Sequence, residues 1–352
     1  MTTPWALPDF DAHEGVHFVS DRNTGLQAII AVHSTHRGPA AGGTRFWHYA
    51  DPAAAVTDVL RLSRGMSYKN AMAGLALGGG KAVILADAGR TKTPGMLQAF
   101  GRAVDGLSGR YVTAEDVGMS VADLVAVSGE TRYVSGLPVE GGPGSTGVGG
   151  DPGPHTARGV FLGLKAAVRR ALGRDSLDGV RIAVQGTGSV GGGVARLAAR
   201  EGAKITLADV DGARASALSK ELGGTVADPA TILSREVDVV SPNALGAILT
   251  PQSIAALRAP IVAGGANNQL ATPECGMLLQ ERGILYAPDY VINAGGIINV
   301  ASEYLRDTDQ AGVDAKIDAI PGRLEQIWAT SEGTGRDPAA VADAMARALI
   351  GR

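Results

Sequence analysis

Residues 181–211, RIAVQGTGSVGGGVARLAAREGAKITLADVD, constrain the fold more than any other stretch of the chain. An apolar, β-forming run enters a glycine turn. A segment with Val190, Val194, Leu197 and Ala198 at helical spacing leaves it, and a second apolar run ends at Asp209. Gly186, Gly188 and Gly191 spell G-x-G-x-x-G, and Asp209 follows Gly188 by 21 residues. In this context the pattern predicts a strand–turn–helix–strand unit of a doubly wound sheet that binds a dinucleotide. The glycines let the backbone approach a pyrophosphate at the helix N-terminus; Thr187, Ser189 and Val190 complete the turn. Asp209 is placed to hold the adenosine ribose hydroxyls and to repel a 2′-phosphate, so NAD is expected over NADP. Arg214 blurs that choice, although it reads as a solvated helix residue. The competing reading is a glycine turn that serves packing alone.

The same rhythm continues in VDVVSP, PIVAGGANN and ILYAPDYV. Ligands of open α/β sheets sit beyond the C-terminal strand ends, which marks Asn243, Asn267, Asn268 and Asn293. Asn243 joins the expected cofactor-binding set. Residues 298–350 are helical in character and are expected to cross back to the preceding domain.

A chain of 352 residues suits two domains. Before the dinucleotide unit, HFVSDRNTGLQAIIAVHS reads as a hairpin turning at Asn23–Gly25 and DPAAAVTDVLRLSRGMSYKNAMAG as a helix entered at Asp-Pro. KAVILAD and RYVTAED read as strands, and PGMLQAFGRAVDGL as a helix. Residues 139–154, VEGGPGSTGVGGDPGP, read as a domain boundary and an active-site loop. The expected architecture is α/β: an N-terminal domain at 1–145, a dinucleotide domain at 146–324, and C-terminal helices at about 325–352 packing back on the first.

Net charge is −3 with no basic block, so nucleic acid is not an expected partner. Cys275 is the single cysteine, which excludes an intrachain disulfide and a cysteine metal cluster. His13, His17, His33, His36, His48 and His155 show no metal-ligand spacing, so no metal site is expected. The first residues lack a signal-peptide pattern, and no apolar run has the length of a membrane span. A cytoplasmic protein without membrane contact is expected.

The first domain offers its own chemistry in Lys69, Lys81 and Asp116. Lys81 follows Gly78–Gly80, which reads as a glycine turn, but Ala82 follows it where a P-loop needs Ser or Thr. A lone lysine is usually a solvated charge. Here the apolar run after Lys81 points to burial. Burial and a second nearby ammonium would lower its pKa towards that of a usable base.

GPAAGGTR, GMSYKNAMAGLALGGGKAVI, TAEDVG, GGANNQL and YAPDYVINAGGIINVASE resemble the leucine, phenylalanine and valine dehydrogenases, relatives of glutamate dehydrogenase, in order over nearly the whole chain. The resemblance implies reversible oxidative deamination of an L-amino acid to the 2-oxo acid, ammonia and NADH. It also implies a homo-oligomer and a first domain for substrate and subunit contacts, with a cleft between it and the NAD domain. Lys69, with the backbone at Gly42 and Gly43, would bind the substrate carboxylate. Lys81 would be the catalytic lysine that activates water, and Asp116 would exchange protons at the amino group. Asn267 or Asn268 would orient substrate and nicotinamide.

By the same resemblance Ala41, Ala114, Ile297 and Val300 would line the side-chain pocket, which disfavours glutamate. Ile297 and Val300 favour Leu, Val and Ile; Ala41 leaves phenylalanine as the alternative. Two readings outside this class are an NAD-binding regulator without catalysis and non-redox oxo-acid chemistry on the same scaffold. Departures from the family pattern are Asn243, where many members have Cys, Pro321, which interrupts an expected helix, and a short C-terminal end.

Overall fold

The computed structural model describes residues 4–7, 9–86, 91–138 and 147–352. Residues 139–146 of the expected active-site loop lie outside the described residues. The chain divides into two units, one of Met1–Gly150, Val300–Gln310 and Ala346–Arg352, the other of Asp151–Asn299 and Ala311–Met345.

In the first unit the hairpin forms as expected: β1 (Gly15–Asp21) pairs antiparallel with β2 (Leu26–Ser34), and Gly25 takes a positive φ of 73° at the turn. β3 (Ala40–His48), α1 (Pro52–Met72), β4 (Gly78–Ala86), α2 (Pro94–Asp105), β5 (Tyr111–Ala114) and α3 (Val121–Ser128) follow. The sheet order is β1-β2-β4-β3-β5, with β3 parallel to both neighbours. Strand alternation feeds two cores. Ala28, Ile30 and Val32 of β2 join Met96, Phe100 and Val104 of α2 on one face, while Ile29 and Ala31 join Ala55 and Val59 of α1 on the other.

The three glycines before Lys81 are not a turn. They are the first residues of β4, a strand between β2 and β3. A Cβ would overlap the Ser34 carbonyl at Gly78, the Ser67 backbone of α1 at Gly79 and the Tyr111 ring at Gly80. Glycine here buys close approach of helix to sheet, not a bend.

The second unit carries α4 (Gly153–Leu172), β6 (Arg181–Gln185), α5 (Ser189–Arg200), β7 (Lys204–Ala208), α6 (Gly212–Leu222), β8 (Thr225–Val226), β9 (Val239–Pro242), α7 (Pro251–Ala256), β10 (Ile261–Val262), α8 (Glu274–Glu281), β11 (Leu285–Tyr286) and α9 (Asp289–Ile292). Its six strands run parallel in the order β11-β10-β9-β6-β7-β8. The order reverses between β6 and β9, so their C-terminal ends flank the switch point where such sheets bind ligands.

The C-terminal helices are α10 (Gly295–Leu305), α11 (Gln310–Asp318), α12 (Ile320–Thr334) and α13 (Pro338–Leu349). The expectation that 325–352 packs on the first unit needs correction, because residues 311–345 belong to the second. Trp328 of α12 is buried and donates to the Tyr286 carbonyl of β11 at 2.9 Å, and Arg170 of α4 donates to Glu325 at 2.6 Å. Residues 346–352 do return: Arg352 donates to the Ala12 and His33 carbonyls, both at 2.9 Å. Pro321 marks a break in the helical run, as expected: α11 ends at Asp318 and only Ala319 separates it from α12. It lies in the first turn of α12, where a missing N–H costs no helical hydrogen bond.

Candidate active site

In the first unit the site is built on the α1 face of the sheet. Val83 packs against α1, and Lys81, two residues earlier on β4, takes the same face. Lys81 is 6% exposed and is ion-paired with Asp116, in the loop after β5. Burial pushes the Lys81 ammonium below the usual lysine range; Asp116 opposes this, and Arg45 adds to it. Burial alone would raise the Asp116 carboxyl, but the adjacent Lys81 and Arg45 outweigh it and hold the group at about 2. The pair is therefore a carboxylate and a lysine poised to lose its proton more readily than one in water.

Lys69 is half-buried near the C-terminal end of α1. Its neighbour Asn70 is buried and donates to the Gly78 carbonyl at 2.6 Å and the Ala41 carbonyl at 3.4 Å. Asn70 thus ties the helix end to β4 and β3 and fixes where Lys69 emerges. Sequence reasoning passed over it, although its place directly after Lys69 was visible. A Cβ at Gly42 would overlap the Gly80 carbonyl, and one at Gly43 the Glu115 carbonyl. These glycines let β3 run close under the Asp116 loop. The Gly42 carbonyl accepts the Tyr111 hydroxyl at 2.6 Å. Ala41 is buried and Ala114 half-buried, both beside this region of sheet.

In the second unit the glycine motif sits at the switch point. Gly186 takes a φ of 86°, a backbone shape that favours glycine, and a Cβ at Gly191 would overlap the Gly186 carbonyl. Gly188 is the N-cap of α5 and supplies no side-chain cap, so the first N–H groups of Ser189 and Val190 keep their donor capacity. A Cβ at Gly188 would meet nothing nearer than Arg214 at 3.9 Å, so the turn is open on that side. Asp209 accepts the Thr187 backbone N–H at 2.7 Å and its hydroxyl at 2.8 Å through one oxygen. Its other oxygen accepts the Asp211 N–H at 2.9 Å. Arg214 is 4.0 Å from Asp209 and donates to Asp211 at 3.0 Å. An anion-ready helix start with a carboxylate at the next strand end fits a dinucleotide: the turn suits the pyrophosphate and Asp209 the ribose.

Of the strand-end asparagines, Asn293 and Asn267 bond directly, and Asn243 and Asn293 both bond Gly265. Asn243 accepts the Gly265 N–H at 2.8 Å and donates to the Ser241 carbonyl at 2.9 Å, linking the ends of β9 and β10. Asn293, 2% exposed, donates to the Asn267 side chain at 2.7 Å and the Gly265 carbonyl at 3.1 Å. Asn267 is exposed, with its carbonyl oxygen held and its amide NH₂ as the remaining donor. Asn268 is exposed at a φ of 52°, which asparagine tolerates better than most residues. Ile297 and Val300 lie one turn apart on α10, Ile297 half-buried and Val300 buried.

A chain that carries a parallel dinucleotide sheet in one unit and a buried lysine against a carboxylate in the other fits an oxidoreductase that uses a nicotinamide cofactor. Residues 13–133 match the family described as Glu/Leu/Phe/Val dehydrogenase, dimerisation domain, and residues 215–349 match Glutamate/Leucine/Phenylalanine/Valine dehydrogenase. The chain is 46% identical to leucine dehydrogenase of Geobacillus stearothermophilus over 338 residues, 96% of this chain and 90% of the relative. It is 46% identical to valine dehydrogenase of Streptomyces virginiae, covering 96% and 94%. The crystal structure of L-tryptophan dehydrogenase from Nostoc punctiforme superimposes with a TM-score of 0.83 at 41% identity, covering 96% of each chain. The chain belongs to the Glu/Leu/Phe/Val dehydrogenase family and is an amino acid dehydrogenase.

Proposed function

We propose that the protein catalyses reversible, NAD-dependent oxidative deamination of branched-chain L-amino acids: amino acid, NAD⁺ and water give the 2-oxo acid, ammonium, NADH and a proton. The observation that carries the chemistry is the buried Lys81 seated against Asp116. Lys69 holds the substrate carboxylate, assisted by the backbone at Gly42 and Gly43. Neutral Lys81 takes the proton from water as that water attacks the imine carbon, and returns a proton to the departing nitrogen. Asp116, kept ionised, accepts hydrogen bonds from the amino group, whose protons pass to Lys81. The Gly186–Gly191 turn and Asp209 would hold the dinucleotide, which would supply the acceptor for the hydride of the substrate α-carbon. Asn267, held by Asn293, and Asn268 orient the nicotinamide and the substrate.

The substrate class rests on the leucine and valine dehydrogenase relatives, each 46% identical over nearly the full chain. Ile297 and Val300 are proposed to narrow the side-chain pocket, and Ala41 and Ala114 to complete it. A larger aromatic substrate is the second reading. Small Ala41 and the likeness to the tryptophan enzyme favour it. Ranking kcat/KM over Leu, Val, Ile, Phe and Trp decides between them. The expected order puts the branched aliphatics first, with modest gaps among them, since one methylene discriminates by only about 1–3 kcal/mol. Tenfold or greater preference for Phe or Trp contradicts the assignment.

NAD is proposed over NADP because Asp209 would face a 2′-phosphate with like charge. Asp209→Ser should raise kcat/KM for NADP relative to NAD by at least tenfold, as the charge that repels the 2′-phosphate is removed. A wild-type preference for NADP contradicts this proposal. The match of residues 13–133 to a dimerisation domain supports self-association of the first unit.

Among the described residues, no helix is long and apolar enough to cross a membrane.

A further inference from the structure

Arg45 belongs to the Lys81–Asp116 pair. Lying on β3, it donates from Nε to Asp116 Oδ2 at 3.2 Å and from a terminal nitrogen to Asp58 Oδ2 at 2.9 Å. Asp58 is on α1, the helix of Lys69, and also accepts the Tyr49 hydroxyl at 2.6 Å. Asp116 Oδ1 accepts the Val117 N–H at 2.7 Å, and Lys81 engages Oδ2, the oxygen that Arg45 holds. The carboxylate is therefore gripped on both oxygens, by two strands and its own loop. Arg45 is gripped in turn from behind, so its fork has one orientation. Two cations and two carboxylates balance within this cluster.

We propose that Arg45 is a positioning residue for the reaction: it fixes the Asp116 carboxylate and shares its oxygen, so that Lys81 is held in place without being locked as an ammonium. The inference rests on the reading of Lys81 as the residue that moves protons. Charge points the same way. Burial pushes Lys81 down, Asp116 and Asp58 favour its ammonium, and Arg45 disfavours it. Burial and Asp58 push the Tyr49 phenol well above its usual range, and burial does the same for Tyr111, so both stay neutral. With Arg45 gone, Asp116 would hold the Lys81 proton more tightly.

The test is the pH profile of kcat/KM for oxidative deamination, with melting temperatures, for Arg45→Gln, Arg45→Lys, Asp58→Asn and Lys81→Ala. Arg45→Gln should move the rising limb up by about one pH unit and lower kcat about tenfold at a fixed pH on that limb, with KM for the amino acid changed less than kcat. Arg45→Lys should restore the limb but not the full kcat, because an ammonium supplies charge without the fork. Asp58→Asn removes a carboxylate that favours the ammonium, so its limb should move down while kcat falls. An unmoved limb in Arg45→Gln overturns the proposal, whatever its kcat or melting temperature. If Arg45→Gln does not fold, an unmoved limb in Asp58→Asn overturns it equally. An inactive Lys81→Ala beside an unmoved Arg45→Gln limb refutes the role of Arg45 alone. Near-wild-type turnover in Lys81→Ala refutes the underlying reading as well.

Discussion

Lys81→Ala is expected to lower kcat by about 10²–10⁴-fold, the usual contribution of a positioned general acid–base, with little change in KM for the amino acid. Lys81 acts on protons that move in the transition state, so its loss falls on kcat. The pH profile has a defined sign. Deamination needs neutral Lys81, and burial lowers its pKa. The wild-type kcat/KM should therefore rise with pH through an apparent value below the ~10.4 of an unperturbed lysine. That value belongs to the coupled group of Lys81, Asp116 and Arg45 rather than to one residue. In the aminating direction the protonated lysine is required, and the same group should appear as a falling limb. A small exogenous amine should restore part of the lost turnover by entering the vacated space. Lys81→Ala with turnover near wild type would remove the lysine from the chemistry.

Lys69→Ala should fail differently. The carboxylate it is proposed to bind keeps its charge in substrate, transition state and product. Loss of a charge-assisted contact of this kind costs about 2–3 kcal/mol, at the lower end for truncated charge pairs because Lys69 is only half-buried. That corresponds to roughly 30- to 150-fold in kcat/KM, carried mainly by KM. The increase should be similar for the amino acid and for its 2-oxo acid, since both present the same carboxylate. An increase confined to one direction would show that Lys69 reads the amino or oxo group instead. The position of the pH limb should stay near that of wild type, which separates this variant from those at Lys81 and Arg45.

The dinucleotide sheet was the most legible part of the fold, because its signals are local. The Gly186–Gly191 turn, the helix it opens and Asp209 all fall within one short stretch, and the runs VDVVSP, PIVAGGANN and ILYAPDYV each contain a strand, β9, β10 and β11. β3 was not legible as a strand. It opens with AAGG, residues of low strand propensity, and its conformation comes from pairing with β4 and β5 on either side. The glycines of β4 misled for a related reason. Their purpose is the approach of α1 and the Tyr111 ring, which are remote in sequence. α3 was missed although Ser120 and Asp123 form a capping box, a signal present in the sequence.

Within the site, Lys69, Lys81 and Asp116 stood out by motif, while nothing in the sequence singled out Arg45. Its partners Asp58 and Asp116 lie 13 and 71 residues away, and only the fold brings them to it. Pro321, by contrast, was legible as a helix break, and the structure ends α11 at Asp318 and starts α12 at Ile320 around it.

The central claim is tested most directly by incubating the purified protein with NAD and L-leucine while following the near-ultraviolet absorbance of reduced nicotinamide and the release of ammonium. The account predicts that both rise in equal amounts, that omission of either substrate stops both, and that Lys81→Ala nearly abolishes both. Absence of reduced cofactor and ammonium with leucine, valine, isoleucine, phenylalanine and tryptophan, under NAD and NADP alike, would contradict it.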